Sequence, residues 1–272
     1  MKTFILCMGA QKSGTTWLYS QLSQLPNFQP GLNKEYHVLS SIHLKECSHI
    51  RNNIFERSDT NELDNARVKF IKNIFSYYDH FSNLLTDEKN LTGDFTPAYS
   101  GLSSTVLSNI KNHFNARGVQ VKVIFLMREP VTRLESNLRM LRRDWGVNKD
   151  LKTSLDYMYS HINQPEDFMR SNYKSIVNNI DSVFDKNDIY YGFYETMFNA
   201  NETNKILDFL NITDFSLDTK VYVNKSERGS FLYERKDVEY FREQYEDRYE
   251  FVKNRFSFDT TLWDERLEQL IQ

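Results

Sequence analysis

The sequence predicts an α/β protein, and three observations carry the prediction. Short apolar runs at 4–8, 121–127 and 188–194 have the length of buried strands. The segments between them place apolar residues at helical spacing. The first run also passes through a turn of small residues directly into a helix start, as a buried parallel strand does when a helix follows it.

Composition sets the outer limits. The chain has 272 residues, 40% hydrophobic and 14% aromatic, enough for a sizeable core and against disorder. No repeat, low-complexity tract or Pro/Gly linker divides it, so a single domain over 1–272 is expected. The formal net charge is -3, which excludes a bulk basic field for sequence-independent nucleic-acid binding; an anion site has to be local. Cys7 and Cys47 make no disulfide framework, and Cys7 falls in the first strand, where a buried free thiol is expected. No apolar run approaches the ~20 residues of a membrane span, and the N-terminal run is too short for a signal peptide. A reducing cytoplasm is the expected compartment.

The first strand, 4–8, opens into Gly9-Ala10-Gln11-Lys12-Ser13-Gly14, then Thr15 and Thr16 begin a helix with Trp17, Leu18, Leu22 and Leu25 inward. A glycine-containing turn, two hydroxyls and a helix start form an anion cradle, because free amides and the positive end of the helix dipole point at one place. Lys12 adds a full charge. In a Walker A loop the lysine follows the second glycine; here it stands two residues before Gly14, so the nucleoside triphosphatase pattern is not met. An ordinary strand–turn–helix with a surface lysine gives the same local pattern.

Pro26 and Pro30-Gly31 mark a loop that delivers Glu35 and His37, two apart. They form a candidate acid–base pair sharing one face of an extended stretch, or a solvated charged turn. Residues 40–64 are polar and uninformative, and 68–85 reads as one amphipathic helix. Residues 90–99 read as a short strand entering a Pro-broken loop, with Asp94 and Thr96 at its carboxyl end, where ligands bind in open α/β sheets; a turn or cap role for Asp94 stays open. A helix over 103–114 ends before Gly118, and 121–127 is the strand expected at the centre of the sheet. Arg128-Glu129-Pro130 follows, with Pro130 suited to a first helical turn and Arg128 a charged fork at a strand end. Ser136 lies two turns on. Arg133, Arg139, Arg142 and Arg143 crowd the same helix, as a solvated face or as a basic wall for an anion. Further helices are expected over 165–184, 202–210 and 234–256, with a last one led by Leu262 and Trp263. A polar loop near 225–230 carries Arg228-Gly229.

Together these stretches are similar to a known family. The Lys12-Ser-Gly-Thr-Thr16 loop resembles the 5′-phosphosulfate loop of sulfotransferases that use 3′-phosphoadenosine 5′-phosphosulfate (PAPS). Arg128-Glu-Pro-Val-Thr-Arg-Leu-Glu-Ser136 resembles their 3′-phosphate segment. Residues 93–99, Gly-Asp-Phe-Thr-Pro-Ala-Tyr, are similar to a segment of the carbohydrate branch, and Glu35-Tyr-His37 to the E-x-H of heparan-sulfate-type members. The resemblance spans roughly residues 4–232. It implies a three-layer, P-loop-like α/β fold with a central parallel sheet flanked by helices. It implies that Lys12, Ser13, Gly14, Thr15 and Thr16 hold the 5′-phosphosulfate. Arg128 and Ser136 would hold the 3′-phosphate, with Arg228 and Gly229 closing over it. Glu35 would take the proton of an acceptor hydroxyl, His37 would orient that side, and Lys12 would stabilise the leaving oxygen. The implied acceptor is a saccharide hydroxyl, with a small alcohol or phenol second; the product nucleotide is the 3′,5′-diphosphate PAP, and no metal is required. Phe95 departs from the pattern, since the carbohydrate branch often has a lysine there.

Two other classes stay open. A small-molecule kinase on the same fold predicts a lysine directly after the second loop glycine, which fails here, and a strand-end aspartate for magnesium, which Asp94 could supply. A module that binds nucleotide or glycan without chemistry would keep the cradle and show no turnover.

Overall fold

The computed structural model describes residues 1–146, 151–221 and 232–271. In chain order the elements are β1 (Thr3–Cys7), α1 (Thr15–Leu22), α2 (Val38–His43), α3 (Ser48–Arg57), α4 (Glu62–Lys72), α5 (Ile74–Leu84), β2 (Leu91–Asp94), α6 (Ser104–Asn115), β3 (Gln120–Met127) and α7 (Pro130–Trp145). Then come α8 (Leu151–His161), α9 (Pro165–Ser171), α10 (Tyr173–Asp181), β4 (Ile189–Phe193), α11 (Ala200–Phe209), α12 (Arg235–Glu243), α13 (Glu246–Phe256) and α14 (Thr261–Glu268). Among the described residues the sheet has four strands, all parallel, in the order β2-β1-β3-β4.

Alternation along the strands builds two cores. Phe4 and Leu6 of β1, with Val121, Val123, Phe125 and Met127 of β3, face one layer, which α5, α6, α10 and the helices after residue 235 cover. Ile5 and Cys7, with Ile124 and Leu126, face the other, covered by α1 and α11. Both faces are therefore apolar, as parallel strands buried on two sides require. This is the three-layer arrangement expected, with β3 interior as predicted.

Several expected helices are divided. The stretch 68–85 breaks at Asn73, whose side chain accepts the Phe75 amide (3.2 Å) and so starts α5 just past the end of α4. The stretch 165–184 breaks at Asn172, which accepts the Ser175 amide (3.2 Å). The stretch 234–256 breaks at Gln244 and Tyr245, between α12 and α13. An apolar period runs on across such a capping residue, so periodicity alone joins what the cap separates. Residues 40–64, which showed no pattern, hold α3 and parts of α2 and α4; α3 buries only Ile54 among its ten residues. Gly118, at φ 69, lies in the turn after α6 rather than at its cap. No described helix is long and apolar enough to cross a membrane.

Candidate active site

The strand order places the site. The chain moves from β1 to β2 on one side and then to β3 on the other, so β1 and β3 are neighbours with crossovers leaving in opposite directions. Ligands bind at the carboxyl ends of strands at such a switch point. The two segments that emerge there are the 8–14 loop and Arg128.

The loop is tied to β3 from its start. The Met8 amide donates to the Ile124 carbonyl (3.0 Å), Ala10 to Leu126 (2.6 Å), and Leu126 back to Gly9 (2.7 Å). Gly14 caps α1 at φ 88 with no side-chain cap, and Leu18 is the first amide to close back on it (3.0 Å). The amides of Thr15, Thr16 and Trp17 therefore have no helical acceptor and face the loop end. A side chain at Gly14 would be strained by that φ, and its Cβ would sit 2.6 Å from the Met197 sulfur. Ser13 is fully buried, yet its hydroxyl has no hydrogen-bond partner among the described residues. A buried unpaired hydroxyl inside an amide-lined cradle fits a ligand that brings acceptors.

Two cations face this cradle without a carboxylate partner among the described ion pairs, Lys12 and Arg128. Burial, and then the charges of Arg143, Arg128 and Arg139, push Lys12 down to about 8. Burial also lowers Arg128. Its guanidinium donates to the Lys12 carbonyl (2.8 Å), lies 4.3 Å over the Tyr194 ring, and leaves Nε unpaired. Tyr173 fixes its backbone, donating to the Arg128 carbonyl (2.5 Å) and accepting from the Arg128 amide (3.3 Å). Directly behind, Glu129 caps α7 through the Val131 and Thr132 amides (2.8 and 2.6 Å) and accepts from Tyr249 (2.9 Å). Ser136 is buried on the second turn of α7. Arg228 and Gly229 lie outside the described residues.

The arginines of α7, read as a solvated face or as a basic wall, are mostly absorbed by the fold. Arg133 is buried and pairs with Asp167, Arg142 is buried against Ser154, and Arg139 pairs with Glu135 at 3.0 Å. Arg143 pairs with Asp144 at the surface.

On the other flank, Glu35 and His37 do come together, although not through an extended strand. His37 adopts a left-handed conformation (φ 57) at the start of α2, and its Nε2 lies 3.2 Å from Glu35 Oε2. Glu35 Oε1 lies 2.6 Å from Lys34 Nζ, which also donates to Thr15 Oγ1 at 3.3 Å. The pair is thereby joined to the cradle. Hydrogen bonding to His37 and the charge of Lys34 overcome the cost of burial and hold Glu35 down at about 2.

Asp94 has a different role from a ligand. It is fully buried, and its oxygens accept from Tyr77 (2.9 Å), Tyr99 (2.7 Å), Thr96 (2.5 Å) and the Tyr36 amide (3.3 Å). Thr96 in turn accepts the His37 amide (3.3 Å). Asp94 thus anchors the segment carrying Glu35 and His37 to the end of β2, and both its oxygens are taken, which leaves none for the magnesium of the kinase alternative. Arg67 of α4 adds a hydrogen bond to the Glu35 carbonyl. Sequence reasoning missed Lys34, Arg67 and Tyr194 as contributors. Tyr194 stood at the end of the strand expected over 188–194, beside β3, and that position was the available signal.

The comparisons with known proteins give the family and the fold. A family model described as the sulfotransferase domain matches residues 2–231. No curated protein matches at the level of sequence. Among solved structures, a sulfotransferase from Alicyclobacillus acidocaldarius has a TM-score of 0.63 at 16% identity, covering 97% of this chain and 99% of its own. A sulfotransferase domain from the curacin biosynthetic pathway has a TM-score of 0.44 at 18% identity, covering 79% of this chain and 76% of its own. The Alicyclobacillus protein shares the fold along both chains.

Proposed function

Because this chain belongs to the sulfotransferase family, we propose that it transfers the sulfuryl group of PAPS to a hydroxyl acceptor, a saccharide first and a small alcohol or phenol second. The observation that carries the proposal is the cradle at the β1/β3 switch point, where Lys12 and Arg128 have no carboxylate partner, and the buried Ser13 hydroxyl no hydrogen-bond partner, among the described residues. The donor, when bound, supplies an activated sulfur joined to a phosphate leaving group.

The chain's own residues do the rest. Lys12, Ser13, Gly14, Thr15 and Thr16 surround the 5′ end, and the α1 amides orient it. Arg128 and Ser136 hold the 3′-phosphate, and the same phosphate is assigned to Arg228 and Gly229, which lie outside the described residues. Glu35 takes the proton from the acceptor hydroxyl as its oxygen bonds to sulfur, a contribution of ~10²–10⁴ in rate for a positioned base. The electron pair of the breaking S–O bond stays on the phosphate oxygen, where Lys12 meets the developing charge, as in phosphoryl transfer. His37 fixes the orientation of Glu35. The saccharide preference rests on the resemblance of 93–99 and of Glu35-Tyr-His37 to the carbohydrate branch. The whole chain acts as one catalytic unit, and its two buried free thiols suit a reducing cytoplasm.

The test is turnover of sulfur-labelled PAPS against a panel of saccharide, alcohol and phenol acceptors, with Glu35→Gln beside the wild type. Glu35→Gln is expected to keep PAP binding and lose turnover. Retained turnover would move the base elsewhere, to His37 first.

A further inference from the structure

Lys34 has no part in the scheme above, yet it stands between the two halves of the site. Its ammonium touches Glu35 Oε1 at 2.6 Å and Thr15 Oγ1 at 3.3 Å. One cation therefore joins the candidate base to the first residue of the helix that faces the donor. The backbone fixes it there, since the Lys34 carbonyl accepts the Phe95 amide at 2.9 Å. The side chain is only 14% exposed. Phe95 itself is turned into the core, fully buried with its ring edge-on to Tyr19 at 5.2 Å, and brings no charge to this side.

Both oxygens of Glu35 are occupied in this arrangement, one by Lys34 and one by His37. A carboxylate held in that way accepts a proton poorly. An ammonium has three donors, and two are used here. Among the described residues, the titratable and charged groups around Glu35 are Lys34 and His37 on its own segment, Arg67 of α4 on its carbonyl, and Asp94 of β2 on the neighbouring Tyr36 amide.

We propose that Lys34 is a catalytic residue that passes between base and donor: with the sulfuryl group seated beside Thr15, its ammonium turns to the sulfuryl oxygens and frees Glu35 to take the acceptor's proton. This rests on the sulfotransferase reading. The balance of the step is unchanged. The acceptor oxygen–sulfur bond forms, the sulfur–phosphate oxygen bond breaks with its electron pair on the phosphate, the proton goes to Glu35, and Lys34 keeps its own protons. The low proton affinity of Glu35 at rest, at about 2, agrees with a base that is masked until the donor arrives.

The test separates the sulfuryl end of the donor from the rest of it. Lys34→Met and Lys34→Gln, in the full chain, are titrated calorimetrically with PAP, which lacks the sulfuryl group, and with PAPS in the absence of acceptor. The expected result is PAP affinity within about twofold of wild type and PAPS affinity reduced about tenfold, as for loss of one charge-assisted contact. The acid limb of kcat/KM should also move to higher pH in both variants, because Glu35 loses a cation. Binding of PAP in each variant certifies its fold, and the two substitutions keep the result independent of one misfolded protein. Equal changes for PAP and PAPS, or no change in either, would overturn the role of Lys34 while leaving the sulfotransferase reading in place. Wild-type protein that binds neither ligand would overturn both.

Discussion

Lys12 makes the cradle proton-linked. Its ammonium is half-buried among arginines and holds its proton only up to about pH 8 in the free protein. A bound anion supplies the missing counter-charge and returns the amine toward its ordinary value of about 10.4. Ligand binding must then take up a proton whenever the free amine has lost it. With a free-state value of about 8, neutral amine outnumbers ammonium about tenfold at pH 9 and is outnumbered about tenfold at pH 7. PAP affinity should therefore fall about tenfold between pH 7 and pH 9, equal to about 1.4 kcal/mol. The second ionisation of a phosphate monoester has a pKa of about 6, so the charge of the ligand changes little across this range. Cys7, pushed up to about 12 by burial, does not titrate within it either. The assay is calorimetry at several pH values in two buffers of different ionisation enthalpy, which counts protons directly. Lys12→Met should bind more weakly and show a flat profile. A wild-type affinity that stays constant would show that Lys12 does not titrate on binding, and the same fall in Lys12→Met would assign the proton to another group.

Three further outcomes follow from the same geometry. Arg128→Ala should weaken PAP binding by about 1.5–3 kcal/mol, the contribution of a charge-assisted hydrogen bond, and unchanged affinity would remove Arg128 from the site. Asp94→Ala should destabilise the fold by about 3 kcal/mol or more in denaturant titration, because three buried hydroxyls and the Tyr36 amide lose their acceptor; a loss under about 1 kcal/mol would contradict its role as anchor. Gly14→Ala should cost about 1–3 kcal/mol through its left-handed φ and its contact with the buried Met197, read as a lower Tm, and a neutral effect would mean that the loop relaxes freely.

What could be read from the sequence was local. β1, its loop and α1 stood out because an apolar run, small residues and a helical stripe follow one another without a gap. β3 and Arg128 stood out for the same reason, as a strand that ends abruptly at a proline-started helix. The pairing of those two segments was not visible, because it depends on strand order, which no local pattern encodes. The tie from Lys34 to Thr15 spans 19 residues and the stacking of Tyr194 on Arg128 spans 66, and neither leaves a mark in spacing. The arginines of α7 show the limit most clearly. Arg133 and Arg143 are the same residue type on one helix, yet one is buried against Asp167, from a helix that starts 32 residues after Arg133, and the other is exposed. Asp94 looked like a ligand from its place at a strand end, and only its four donors identify it as the support beneath Glu35 and His37.

Titration with PAP beside ATP plus magnesium tests most directly the proposal that the cradle at the β1/β3 switch holds PAPS. Micromolar binding of PAP and weak binding of ATP are expected, since the proposed roles of Arg128 and Ser136 call for a 3′-phosphate, which ATP lacks. ATP bound as tightly as PAP, or more tightly, would contradict it.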